Sequence, residues 1–112
     1  VQIVTTVGND GRPALSFRNP TLYSGTEGKV LEADVENSGD AWIHPVYFCE
    51  IYDPMGEMVG RIDLPRQRIY PDTSIRLSFT LPDLAEGTHK ALVVADAGGD
   101  RLFGAQYTLN IK

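Results

Sequence analysis

At 112 residues the chain is long enough for one domain with its own core, and its net charge of −5 disfavours the clustered basic surface that nucleic-acid binding requires. No apolar run approaches the ~20 residues of a membrane span. A lone Cys49 excludes an internal disulfide and any cysteine-rich zinc spacing. No cofactor is expected.

The hydrophobic pattern has period two almost throughout, which is the signature of strands. Residues 1–7 and 14–18 read as a first strand split by a Gly8-Asn9-Asp10-Gly11 turn. In 30–36, Leu31, Ala33 and Val35 point one way while Glu32, Asp34 and Glu36 point the other. Residues 45–53 and 89–96 carry apolar groups on both faces, which suits central strands or strands covered by a neighbouring domain. Between them lie a shorter strand at 58–64, weakened by Gly60, and a cleanly alternating one at 74–81. A single helical turn fits 82–86. In the last strand Phe103, Ala105, Tyr107, Leu109 and Ile111 face in, and Gly104, Gln106, Thr108 and Asn110 face out. The connections hold turn chemistry at 37–40, 53–56, 70–73, 82–87 and 97–100. Short strands separated by such turns predict a sandwich or barrel.

Residues suited to chemistry are few. His44 and His89 are the two histidines, and neither a G-x-S-x-G nor an H-E-x-x-H motif is present. Each histidine reads either as a base or metal ligand or as a structural residue: His44 at a loop edge before Pro45, His89 at a corner bonding backbone. Cys49 lies mid-strand, where a buried, inert thiol is expected.

Residues 30–60 contain seven acids and no lysine or arginine. Glu32, Asp34 and Glu36 share one face at ~7 Å spacing, open to a calcium reading. The alternative is a solvated face balanced by Arg61, Arg66, Arg68 and Arg76, with 30–36 paired to 74–81 and Arg76 opposite an acid. Asp96 and Asp100 bracket a glycine pair that fits either a cation loop or a plain hairpin.

Tyr23, Trp42, Tyr52 and Tyr70 fall near strand ends, as binding anchors or as core rim. The uncharged last strand reads as an open edge or as a central strand. If open, it presents Gln106 and Thr108 to a partner and gives a route to a homodimer.

Four stretches carry a family resemblance: Val35-Glu-Asn-Ser-Gly39, Glu50-Ile-Tyr-Asp-Pro-Met-Gly56, Ile69-Tyr-Pro71, and Leu84-Ala-Glu-Gly-Thr-His-Lys-Ala-Leu92. Through them the chain from about residue 30 onward resembles immunoglobulin-like domains of exported bacterial proteins, both CARDB-like adhesion modules and the periplasmic pilus-chaperone class. His89 stands where the corner of such domains usually carries Tyr, and the antibody-type Cys…Trp…Cys pin is absent. The expectation is one immunoglobulin-like antiparallel β-sandwich of seven or eight strands spanning 1–112, excised or processed from a longer chain. The resemblance implies a noncatalytic, periplasmic or otherwise exported module that binds a protein partner or a neighbouring domain. The alternative is an accessory carbohydrate-binding domain using the Tyr and Trp side chains.

Overall fold

A computed structural model describes residues 2–7, 15–99 and 101–112. Eight strands run in chain order: β1 (Gln2–Val7), β2 (Leu15–Gly25), β3 (Gly28–Asn37), β4 (Val46–Tyr52), β5 (Met58–Leu64), β6 (Ser74–Thr80), β7 (Gly87–Asp96) and β8 (Leu102–Ile111). They form a five-stranded sheet, β1-β8-β7-β4-β5, and a three-stranded sheet, β2-β3-β6, with every pairing antiparallel. This is the expected immunoglobulin-like sandwich, with eight strands.

The inward rows of the two sheets interdigitate. Leu31, Ala33 and Val35 of β3 and Leu77 and Phe79 of β6 meet Tyr47, Cys49 and Ile51 of β4 and Tyr107 and Leu109 of β8. β4 and β7 are interior strands of the five-stranded sheet, each with a neighbour on both sides, and their outward apolar residues lie on its outer face.

Three expectations require correction. The first strand is not one strand split by a turn, because β1 pairs with β8 and β2 pairs with β3 in the other sheet. The Gly8–Gly11 turn lies outside the described residues. β2 also runs on to Gly25, past a bulge between Arg18 and Thr21 where Asn19 adopts φ 53°. That bulge reverses the in–out alternation, so Leu22 rather than Thr21 packs on the core, and the period-two signal breaks. Finally, 82–86 is irregular rather than helical.

The last strand is not an open edge. β8 lies between β1 and β7, hydrogen-bonded on both sides, so its backbone offers no free ladder over Gly104–Thr108 for a second chain. Gly60 has a packing role in β5: a Cβ there would lie 2.9 Å from Pro82 Cγ, so glycine lets the β6–β7 connection close over the strand.

Candidate functional site

Two surfaces gather the aromatic and polar candidates, and a third region turns out to be occupied by its own contacts. At one end of the sandwich the β3–β4 and β5–β6 connections lie side by side. Ile43 and Ile69 exchange both backbone hydrogen bonds, at 3.0 and 2.8 Å, and both side chains are buried. The Gln67 N–H donates to the Pro45 carbonyl at 3.2 Å, extending the same antiparallel register. That register sets Trp42 opposite Tyr70 and His44 opposite Arg68, on the face away from the two isoleucines. Trp42 and Tyr70 are 52% and 54% exposed, so about half of each ring's surface is open to a ligand.

Buried polar groups hold this end in shape. Asn37 is fully buried and makes three bonds: Nδ2 donates to the carbonyls of Ala41 and Ile69 at 3.0 Å, and Oδ1 accepts from the Gly39 N–H at 2.9 Å. The Tyr47 hydroxyl donates to the Gln67 carbonyl at 3.2 Å, and burial pushes its pKa up to about 12. Arg66 Nη1 donates to the His44 carbonyl at 3.1 Å, and the Arg68 guanidinium sits 5.1 Å from the centre of the Trp42 ring. His44 is held below its ordinary value by partial burial and by the nearby Arg68 and Arg66 charges. The result is an arginine–aromatic platform on a hydrogen-bonded base.

The second surface is the outer face of the five-stranded sheet. Pairing registers place Phe48 beside Val94 beside Gly104, and Glu50 beside Leu92 beside Gln106. Gly104 leaves a trough next to Val94; a Cβ there would meet the Val93 carbonyl at 3.1 Å. The trough is continuous at Leu92 with a furrow of about 520 Å³ lined by Tyr52, Pro54, Lys90, Leu92 and Gln106, among others. Polar groups form the rim. Tyr52 donates its hydroxyl to Glu50 Oε1 at 2.7 Å, and Arg61 bonds Glu50 and Asp63 while its guanidinium lies 4.0 Å from the Phe48 ring centre.

The remaining candidates separate from these two groups. Gln106 lines the furrow beside Tyr52, and Thr108 lies on the same face, paired with Lys90. Tyr23 is on the outer face of the other sheet, where its hydroxyl donates to Glu32 at 3.0 Å. There the acidic row is paired as the charge-balance reading required. Asp34 stands opposite Arg76, and Arg76 bonds Asp34 Oδ1 at 2.7 Å and Glu32 Oε1 at 2.9 Å. Arg18 pairs with Glu36. Asp96 accepts from the Gly98 N–H at 2.9 Å, as a hairpin residue does, and Asp100 lies outside the described residues.

His89 is buried at the start of β7 with Nδ1 3.3 Å from the Gly87 carbonyl, which is the structural corner role. Cys49 is buried in the core, and burial pushes its pKa up to about 12.

The balancing role expected of all four arginines fails for two of them, since Arg66 and Arg68 pair with no carboxylate among the described residues. Their alternation with Tyr70 in Arg66-Gln-Arg68-Ile-Tyr70 was the signal of a shared face. Leu92 and Val94 were legible as outward apolar residues of β7, but not as the floor of a furrow.

No protein-family model and no curated protein matches the chain. Among solved structures it is similar to a β-D-glucoside glucohydrolase from Trichoderma reesei, with a TM-score of 0.59 and 15% identity over 88% of this chain and 19% of that one. It is also similar to DesR, a β-glucosidase from Streptomyces venezuelae in complex with D-glucose, with a TM-score of 0.56 and 13% identity over 88% of this chain and 15% of that one. The likeness shows a shared β-sandwich fold. The chain spans less than a fifth of the length of either enzyme.

Proposed function

We propose that this chain is a noncatalytic immunoglobulin-like module of an exported bacterial protein that binds a protein surface, either a partner or a neighbouring domain of its own chain. The observation that carries the reading is the apolar strip of Phe48, Leu92, Val94 and Leu102 on the outer face of the five-stranded sheet. Val94 is itself buried, but Phe48 and Leu92 are part-exposed and Leu102 is 41% exposed. Apolar surface left in water is a cost unless something covers it, and a polar rim around an apolar floor is the anatomy of a protein interface. The glucosidase neighbours support the reading in one respect: in them a comparable sandwich is a small part of a longer chain. A noncatalytic role agrees with the dispersal of the reactive groups, with His44 in the platform, His89 buried at the opposite end and Cys49 in the core. Export and a bacterial source rest on the resemblance of the sequence motifs.

Site-specific photo-crosslinking tests this in the organism that makes the protein. A photoreactive residue at Gln106, in the furrow, should give discrete adducts that vanish with Leu92→Asp. The same residue at Thr80, on the other sheet, should give none. Equal labelling from both positions overturns the proposal.

A further inference from the structure

The platform end carries a recognition chemistry separate from the furrow. Arg66 and Arg68 are both exposed, and neither makes an ion pair among the described residues, although Asp40 and Asp72 lie on the same two connections. Arg68 lies over the Trp42 ring, 5.1 Å from its centre, and makes no ion pair among the described residues, so its guanidinium is available to a carboxylate. Tyr70 adds a second half-exposed ring directly opposite. Gln2 and Lys112 lie at the other end of the sandwich, because β1 begins opposite Thr108 and β8 ends at Ile111, so the platform faces away from both.

We propose that the Trp42–Arg68–Tyr70 platform, with Arg66, is a binding site for a glycan bearing a hexuronate. Such a sugar presents an apolar C–H face and a carboxylate on one ring, which matches aromatic rings set beside guanidinium forks. An acidic peptide fits less well. Strand addition is closed to it, because the platform's N–H groups at Gly39, Ile43, Gln67 and Ile69 are already bonded within the protein. A peptide would therefore be held by its carboxylates alone and would leave the two aromatic rings without a matching apolar face. The footprint is two guanidiniums in a chain of net charge −5, so the site takes one or two carboxylates rather than a long polyanion.

The test is an NMR titration of the ¹⁵N-labelled protein with trigalacturonate, cellotriose and a glutamate hexapeptide. Trigalacturonate should shift the Trp42 indole N–H and the Arg68 Nε–H, and the bound carboxylate should raise the pKa of His44 by offsetting the two arginine charges. Arg68→Gln, an exposed change whose folding a thermal melt verifies, should weaken binding by about ten-fold, the scale of one charge-assisted contact. Leu92→Asp in the furrow should leave trigalacturonate binding unchanged, which separates this site from the protein-binding surface. No shift with trigalacturonate overturns the proposal. So does equal binding of cellotriose, which would leave the arginines without a part, and so does tighter binding of the hexapeptide, which would make the ligand an acidic peptide.

Discussion

The two outer faces of the sandwich solve the same problem in opposite ways. On the three-stranded sheet the outward side chains satisfy one another: Arg76 bridges Glu32 and Asp34, Tyr23 and Ser78 donate to Glu32, and Asn19 donates to Asp34. Each carboxylate in that lattice has side-chain partners. On the five-stranded sheet the rim is paired in the same manner through Arg61, Glu50 and Tyr52, but the middle rows are Phe48, Leu92 and Val94 beside a glycine. The first face is finished in solution. The second keeps apolar side chains in its middle rows, and that contrast is what the proposed protein-binding role rests on.

The largest effect should come from placing a charge on each face in turn. Val94 is only 6% exposed, so Val94→Asp should cost about 3 kcal/mol by stranding a carboxylate among apolar neighbours. Thr80→Asp, on an exposed outward position of β6, should cost less than about 0.5 kcal/mol. Urea unfolding of the two variants makes the comparison, and equal losses would erase the distinction between the faces.

Next in size is Asn37→Ala, which removes the bonds to the Ala41 carbonyl and the Gly39 N–H and leaves the buried Ile69 carbonyl only its bond from the Ile43 N–H; it should cost about 2 kcal/mol. Its sharper readout is local. Amide exchange should quicken across residues 38–45 and 65–73 while β7 and β8 keep their protection, leaving the furrow intact and the platform loosened. Uniform loss of protection would mean that the two surfaces are not separable.

Much of this arrangement was legible in the sequence. Alternation marked the outward acids of β3 and the outward Arg76 of β6, and the pairing that an immunoglobulin topology implies for these two strands set Arg76 across from an acid, as Asp34 opposite Arg76 bears out. The apolar character of β4 and β7 announced their central positions. What stayed hidden depends on neighbours distant in the chain. The bulge at Asn19 ended the visible periodicity of β2, and the pairing of β1 beyond β8, which closes the C-terminal edge, leaves no trace in the alternation of β8 itself. The platform was half visible: Trp42 and Tyr70 stood out as aromatics, but their juxtaposition follows from the Ile43–Ile69 bridge, a single pair outside any named strand.

The interior between the faces supplies a smaller test. The Tyr107 hydroxyl is buried without a hydrogen-bond partner among the described residues, and burial pushes its pKa up to about 12. Tyr107→Phe should therefore be neutral or stabilising by up to about 1 kcal/mol, read from the shift in denaturation midpoint. A clear destabilisation would show that the hydroxyl is bonded in solution.

The smallest effect belongs to the finished face, and pH isolates it. Glu32 is held below its ordinary 4.5 chiefly by the hydrogen bond from Arg76, then by Tyr23. Asp34 is held below its ordinary 3.8 chiefly by Asn19, then by Arg76. A carboxylate with a depressed folded pKa contributes stability that is present above its unfolded value and lost as pH falls through the folded one. The lattice should therefore weaken progressively below about pH 4.5, with the loss completed beneath the folded value of Asp34. In Arg76→Gln both carboxyls should titrate nearer their ordinary range, so the melting temperature should fall less steeply over the same acid window, from a lower start at neutral pH. Asn19 and Tyr23 still hold part of the depression, which keeps the slope from vanishing. Carboxyl titration by NMR separates the two residues, and an unchanged slope with unchanged carboxyl titrations would show that Arg76 merely lies near these acids without stabilising the face.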